Sequence, residues 1–176
     1  MNETTFYWDT DAVIWLLKQF PENRVPKLHE LVNSEIQNGR FKVCDHVCRE
    51  IGGKVAKEWV EKNKQQIHVP VTNDIMSVIR EVAAVPLFVD PSKTDGRDAD
   101  HFLVATALAH RRGKGVNLMS GEAAIVTIER HYRPEKEKRS RIPDACDYLS
   151  IPCYDFYGWL DNRGFRIDLV PIGGSS

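Results

Sequence analysis

Phe6-Tyr7-Trp8-Asp9-Thr10-Asp11-Ala12-Val13-Ile14 is the stretch from which the fold can be worked out. Its three aromatic residues predict a short buried strand, and the apolar run that begins at Ala12 predicts a helix. Asp9 stands between the two, at the carboxyl end of the predicted strand. In a parallel α/β sheet, ligands bind at that end of the strands. Asp9 is therefore a candidate metal ligand, a candidate nucleophile or a helix cap, and the rest of the chain has to decide among these roles.

Short apolar stretches alternate with helical patterns along the rest of the chain. Further strands are predicted at 41–44, 67–70, 116–120 and 151–154. A helix that starts at Asp45 carries an apolar stripe as far as Trp59, and another, at 98–110, is apolar almost all round and should be central. Gly52-Gly53 weakens the first of these helices, and close backbone packing would be one reason to tolerate the pair. The alternation predicts an α/β fold with a parallel β-sheet flanked by helices, an α/β/α sandwich.

The length of 176 residues suits a single domain, which we place at 1–170, followed by a flexible C-terminal tail at 171–176. Hydrophobic residues make up 42% of the chain and charged residues 28%, as is usual for a globular protein. No apolar run approaches the roughly 20 residues that a membrane helix needs. The N-terminus also lacks the basic region of a signal peptide, so we expect a cytoplasmic protein that does not enter membranes.

Charge and cysteine content exclude only a few classes of function. The 24 basic and 25 acidic residues give a net charge of -1, which provides no general attraction to nucleic acid but allows separate acidic and basic patches. The segment 130–141 is rich in Lys and Arg, and it is either a contact for phosphates or a solvated loop. The four cysteines form no Cys-x-x-Cys pair, which favours buried, reduced thiols over a zinc site.

Four carboxylates occupy positions that could converge at one edge of the predicted sheet. Asp9 follows the first strand, and Glu122 follows the strand predicted at 116–120. Asp100 starts the central helix, and Glu50 lies in the first turns of the helix that begins at Asp45. Carboxylates that lie close together repel, and a divalent cation removes the conflict. Mg²⁺ and Mn²⁺ prefer oxygen ligands of this kind, so the four residues predict a catalytic site for one of these ions.

Each of these acids also has a purely structural interpretation. Asp98 is included among the candidate metal ligands, but it is most simply a helix N-cap. Asp100 is favoured by the helix dipole whatever its function, and Glu50 could be a solvated helix residue. The case for a site therefore depends on the coincidence of four placements and not on any one of them.

The acidic segments resemble those of the PIN-domain family of metal-dependent ribonucleases, which includes VapC-type toxins. Residues 9–14 resemble the opening Asp-Thr-Asn-Val-Leu-Ile pattern of that family, with Asp11 in place of the asparagine. The other matching segments are 47–51 for the second acid, 100–107 for the third, and 118–122 for the strand and Thr-x-Asp motif of the fourth, with Glu122 in place of the aspartate. The C-terminal part, 142–160, is similar to an uncharacterised PIN-like subgroup.

The resemblance runs from about residue 5 to about 168. It implies a metal-dependent endoribonuclease in which Asp9, Glu50, Asp100 and Glu122 hold Mg²⁺ or Mn²⁺ and orient water for attack on RNA. It also implies the toxin of a toxin–antitoxin pair, with a small antitoxin protein as its partner, and a homodimer by analogy. Asp11 adds a further potential ligand, while Glu122 leaves open whether a second metal binds.

Two other classes of function fit parts of the same pattern. Asp9-Thr10-Asp11 also matches the Asp-x-Asp opening of haloacid-dehalogenase-like phosphatases, in which the first aspartate is a nucleophile. The Gly-Asp-x-x-x-Asp segment expected of those enzymes does not follow. A non-catalytic binding module on a PIN-like scaffold is the third hypothesis, because a fold does not determine a function.

Overall fold

The computed structural model describes residues 4–88, 98–113, 122–133, 135–136 and 139–167. Within these residues the strands are β1 (Thr5–Trp8), β2 (Phe41–Cys44), β3 (His68–Val69), β4 (Ala123–Val126) and β5 (Cys153–Tyr154). The helices are α1 (Thr10–Gln19), α2 (Pro26–Gln37), α3 (Asp45–Glu50), α4 (Lys54–Ile67), α5 (Asn73–Ala83), α6 (Ala99–Arg111), α7 (Ile142–Tyr148) and α8 (Phe156–Asn162). The strand predicted at 116–120 and the tail at 171–176 lie outside the described residues.

The five strands of the described residues form one parallel sheet in the order β3-β2-β1-β4-β5. β1 is central, and all four of its residues are in register with β4, from Thr5 opposite Ala123 to Trp8 opposite Val126. All strands point the same way, so their carboxyl ends share one edge of the sheet. The predicted α/β fold with a parallel sheet and flanking helices is confirmed.

Helices cover both faces of the sheet. Successive residues of β1 point to opposite sides of it, so each face of the strand packs against different helices. Tyr7 faces α6, and its hydroxyl forms a buried hydrogen bond with His110 Nδ1 at 2.9 Å. Trp8 faces the other way, where it stacks on Phe41 with 4.6 Å between ring centroids and meets Trp159 of α8 edge-on at 4.9 Å. A strand buried on both faces is expected to be continuously apolar, which explains the aromatic run of β1.

α6 is the central helix that its composition predicts. Every residue from Leu103 to His110 is buried, and the helix packs against β4, α5 and α7. The described residues share one hydrophobic core, which α6 and β1 run through. None of the helices in the described part of the chain is long and apolar enough to span a bilayer.

The helix predicted from Asp45 to Trp59 is instead two helices. α3 ends at Glu50, and α4 begins at Lys54 with Gly53 as its N-cap in a left-handed conformation, φ 81°. A Cβ atom at either glycine would meet nothing within 4 Å, so close packing is not why they are there. The predicted apolar stripe is also wrong at Val55, which is 68% exposed. The positive φ at Gly53 is the physical reason for the break, since only glycine adopts it without strain.

The four cysteine side chains differ in burial. Cys44 and Cys146 are buried, while Cys48 and Cys153 are partly buried, and none of the four forms a disulfide. Burial raises the pKa of the Cys44 thiol to about 12, so it remains protonated and behaves as a small apolar side chain.

Candidate acidic site at the carboxyl edge of the sheet

Asp9 lies at the carboxyl end of β1, where it connects the central strand to α1. Its backbone N–H donates to Val126 O at 3.0 Å, which extends the β1–β4 ladder by one residue. Its side chain is buried, and Oδ2 accepts a 3.0 Å hydrogen bond from the Thr127 hydroxyl. Asp9 also occupies the N-cap position of α1, but its side chain makes no capping hydrogen bond there. The carboxylate therefore points toward the sheet edge and is not used as a helix cap.

A cavity of about 400 Å³ opens at this edge, in front of Asp9. We call it the acid pocket. Its acidic lining residues are Asp9, Asp11, Glu50, Asp100 and Glu129, and the rest of the lining is Thr10, Ile14 and Gly52. The five carboxylates come from four separate parts of the chain: the β1–α1 junction, the end of α3, the start of α6 and the segment after β4. Three of the four predicted catalytic residues are thus brought together.

The electrostatics of the acid pocket are those of crowded like charges. The pKa of Asp9 is raised to about 8, first by burial and then by the negative charge of Asp100. Glu129 and Asp11 raise it further, while the hydrogen bond from Thr127 acts in the opposite direction. Asp9 is therefore mostly protonated at neutral pH in the absence of a cation. A divalent cation in the pocket would favour the ionised form of this group.

Glu50 reaches the acid pocket from the last residue of α3, and not from the first turns of a longer helix. The Thr10 hydroxyl donates to Glu50 Oε2 at 2.8 Å, which ties the start of α1 to the end of α3. Glu50 is exposed, unlike Asp9, so its carboxylate has room to change position. α3 ends at this residue, and Gly52, in the break that follows, also lines the pocket.

The two acids at the start of α6 have different environments. Asp100, in the first turn, lines the acid pocket. Asp98 occupies the N-cap position, but its side chain makes no cap hydrogen bond and lies 3.4 Å from His101 Nδ1. Asp98 is not among the residues that line the acid pocket. Its placement therefore favours the structural interpretation over a role as a metal ligand.

The prediction that Glu122 joins the other three acids is wrong. Glu122 precedes β4 and lies at the amino edge of the sheet, where its carbonyl oxygen accepts a hydrogen bond from Thr5 N–H at 2.9 Å. Its carboxylate is paired with Arg111 at the carboxyl end of α6, at 2.7 Å. The physical reason is the position of the strand: β4 starts after Glu122, so this residue lies one strand length from the carboxyl edge.

Glu129 is the acid that the structure puts in the place expected of Glu122. It follows β4 and lines the acid pocket, and its N–H donates to the Thr127 hydroxyl at 3.1 Å. The Glu129 carboxylate accepts from Arg141 Nη1 at 3.3 Å and from Ile142 N–H, at the start of α7, at 3.0 Å. The sequence does carry a signal for it, because the apolar run 123–126 is followed by Thr-x-Glu, the form of the fourth PIN motif with glutamate for aspartate.

A second cavity, of about 180 Å³, adjoins the acid pocket and shares Asp100 and Glu129 with it. We call it the basic pocket, because Lys136, Arg139 and Arg141 line it. Ser140 fixes this segment to the turn that follows α5, since its N–H donates to Leu87 O at 3.1 Å and its hydroxyl to Pro86 O at 2.6 Å. Part of the predicted basic stretch therefore lies against the acidic residues.

The donor set of the acid pocket suits a hard divalent cation, since it consists of carboxylate and hydroxyl oxygens. In the described residues, no three side chains of His, Cys, Asp or Glu form a group with the spacing of a metal site. To coordinate an ion, the carboxylate groups would therefore have to move closer to one another. Glu50 and Asp11 are the exposed members of the group, so they are the ones best able to move.

The fold and the acid pocket define a class: an α/β protein with a parallel sheet and acidic residues gathered at its carboxyl edge. The chain belongs to the family described as a domain of unknown function, DUF4411, whose model matches residues 6–167. No match was found among curated proteins or among solved structures.

Proposed function

We propose that this protein is a PIN-like, metal-dependent endoribonuclease that hydrolyses phosphodiester bonds in RNA. The observation that carries the proposal is the acid pocket, in which Asp9, Glu50, Asp100 and Glu129 converge from four parts of the chain. A buried carboxylate with a pKa near 8 costs stability, and a cation that neutralises the cluster would remove that cost. The resemblance of residues 9–14, 47–51 and 100–107 to PIN-domain segments supports the same proposal.

Each acid has a distinct part in the proposed site. Asp9, held by Thr127, is the rigid ligand at the floor of the pocket. Glu50, Asp100 and Glu129 approach from the walls, and Asp11 is a further oxygen donor at the rim. When bound, Mg²⁺ or Mn²⁺ would polarise the scissile phosphate and lower the pKa of a water molecule. The protein's own contribution is to hold these oxygens together and to position the RNA.

The basic pocket supplies the electrostatic complement to this arrangement. Lys136, Arg139 and Arg141 lie beside Asp100 and Glu129. Cationic side chains beside the acids can contact phosphates next to the scissile one, while the acids would repel RNA in the absence of a cation. The interpretation of segment 130–141 as a phosphate contact is therefore preferred to a solvated loop.

The PIN resemblance extends the proposal to the biological role. We infer that the protein is the toxin of a toxin–antitoxin pair and that a small antitoxin protein inhibits it. We also infer that it acts in the cytoplasm, and we expect a homodimer by analogy. An antitoxin that covers the acid and basic pockets would block the binding of both the cation and the RNA.

The test is cleavage of a single-stranded RNA in the presence of Mn²⁺, with and without chelator. Asp9→Asn and Glu129→Gln should each lower kcat/KM by roughly 100-fold or more, because each removes one of the converging charges. Glu122→Gln is the matched control, since it makes the same chemical change at the opposite edge of the sheet and should leave cleavage unaltered.

Undiminished cleavage by Asp9→Asn would contradict the proposed function. Loss of cleavage in Glu122→Gln, with full activity in Glu129→Gln, would contradict the assignment of the fourth acid. Trapping of a phosphate analogue on Asp9, with no cleavage of RNA, would favour the haloacid-dehalogenase-like phosphatase. Absence of any Mn²⁺ binding at millimolar concentration would favour the non-catalytic binding module.

A further inference from the structure

An exposed aromatic side chain stands beside the acid pocket. Tyr157 is the second residue of α8, and α8 begins immediately after the carboxyl end of β5. Its side chain is therefore at the same edge of the sheet as the acidic residues. Tyr157 is 56% exposed, although most aromatic residues of the described chain lie in the core or pack against it. Its ring is therefore accessible to a ligand that binds at this edge of the sheet.

The neighbours of Tyr157 connect it to the wall of the acid pocket. Its ring lies 6.2 Å from the ring of Trp15 and 5.6 Å from that of Phe156, measured between centroids, and both pairs are edge-to-face. Trp15 follows Ile14 in α1 and lies four residues after Asp11, so it is on the same side of that helix as Asp11. Ile14 and Asp11 both line the acid pocket. Tyr157 thus continues the surface that begins at the pocket rim.

The aromatic surface and the basic pocket lie on different sides of the acids. α1 and α8 meet through Trp15 and Phe156, and α8 covers the face of the sheet to which Trp8 points. Arg141, at the start of α7, belongs to the other face, where α7 packs against α6. A polynucleotide that places one phosphate at the acids would meet cationic side chains in one direction and an exposed ring in the other.

We propose that Tyr157, supported by Trp15, is the stacking surface for an unpaired base of single-stranded RNA next to the scissile phosphate. This inference rests on the proposed ribonuclease function and adds to it a specific base-binding residue. Stacking on an aromatic ring, together with phosphate contacts from a positive groove, is how proteins bind single strands with little sequence preference. A base inside an RNA duplex is already stacked and paired, so it cannot occupy this surface.

The test is binding of a fluorescently labelled, non-cleavable single-stranded RNA, measured by anisotropy in the presence of Mn²⁺, so that the acids are neutralised and no cleavage occurs. Tyr157→Ala should weaken binding at least about fivefold, the lower end of the effect that removing one base–aromatic stack produces. Tyr157→Phe keeps the ring and should bind like the wild type. Tyr148→Ala is the matched control, because Tyr148 is also exposed, at 61%, but stands at the last residue of α7, before the chain returns to the start of β5.

The outcomes separate the stacking surface from the ribonuclease proposal. Equal binding by Tyr157→Ala and the wild type, with Mn²⁺-dependent cleavage intact, would overturn the stacking surface alone. An equal loss for duplex and single-stranded RNA would also overturn it, since it would show a general loss of affinity. A wild-type protein that neither binds nor cleaves RNA would overturn both proposals.

Discussion

Asp9 has an environment that is unusual for a buried carboxyl group. Its carboxyl group is buried, it accepts a single hydrogen bond from Thr127, and it faces Asp100. A buried acid selected for stability would be expected to have a cationic partner or several N–H donors. Here burial and like charges raise the pKa to about 8 instead. A raised pKa is what the proposed cation site would produce when no cation is bound.

This pKa predicts a dependence of stability on pH in the absence of metal. The folded state keeps its proton on Asp9 up to about pH 8, whereas the unfolded chain loses it near pH 3.8. Since the folded state binds more protons between these values, the contribution of Asp9 to the free energy of unfolding falls as pH rises from about 4 to 8. Asp9→Asn cannot ionise, so it should be more stable than the wild type at pH 8, by on the order of 5 kcal/mol.

Urea unfolding at pH 5 and pH 8 in chelator checks this prediction. The difference between Asp9→Asn and the wild type should be several-fold smaller at pH 5 than at pH 8. Asp155→Asn is the control, because Asp155 is an exposed N-cap whose side chain accepts from Gly158 N–H at 2.7 Å, and asparagine caps equally well. A variant of Asp9 no more stable than the wild type at pH 8 would show that this carboxylate is ionised at little cost.

At the level of the elements, α3 ends at Glu50, and the chain breaks at Gly52-Gly53 before α4 begins. Gly53 makes the break, with φ 81° and ψ 143°, a region that residues with a Cβ avoid. Gly52 has no positive φ, and a Cβ there would meet nothing within 4 Å. The two neighbouring glycines therefore have different roles although they look equivalent in the sequence.

Alanine substitutions should separate these roles. Gly53→Ala is expected to lower the free energy of unfolding by about 1–3 kcal/mol, because alanine is strained at this φ and ψ. Gly52→Ala should cause no loss, and it could raise stability by up to about 1 kcal/mol by restricting the unfolded chain. Urea denaturation of the two variants measures the difference. Equal losses in both would mean that the backbone conformation is not the reason for the pair.

For the whole molecule, the parallel arrangement of the strands decides where charge accumulates. All strands of the described residues end at one edge, and the acids after β1 and β4 meet there with those of α3 and α6. The opposite edge carries the ion pair of Glu122 and Arg111. The five carboxylates gathered at the carboxyl edge should make the folded protein bind Mn²⁺ more tightly than the unfolded chain does.

Binding of Mn²⁺ should consequently stabilise the whole fold. At a free Mn²⁺ concentration of about 100 times the dissociation constant, the gain is about 2.7 kcal/mol. For a domain of this size we expect a rise in Tm of roughly 5–10 °C, reversed by chelator. The gain should be lost in Asp9→Asn and retained in Glu122→Gln, and it should be smaller at pH 6 than at pH 8 because the cation must displace the proton of Asp9. An equal rise in Tm for Asp9→Asn would place the ion elsewhere.

The sequence by itself determined the features that depend on local chemistry. The aromatic run before Asp9 indicates the buried central strand, the apolar stretch at 98–110 indicates the central helix, and Asp155 indicates the cap of α8. These signals are local, because hydrophobic periodicity and capping involve residues only a few positions apart. The α/β class follows from their order along the chain.

Only the tertiary structure decided which acids meet. Glu122 and Glu129 flank the same strand, and the register of β4 against β1, with Val126 opposite Trp8, puts Glu129 at the edge that holds Asp9. Nothing within a few residues of either glutamate determines that register, since it is set by pairing with a strand more than a hundred residues away. The same holds for Tyr157 and Trp15, whose proximity depends on α8 packing against α1. Contacts between residues far apart in the sequence bring these acids and aromatic rings to the same edge of the sheet. A local sequence pattern does not specify such contacts.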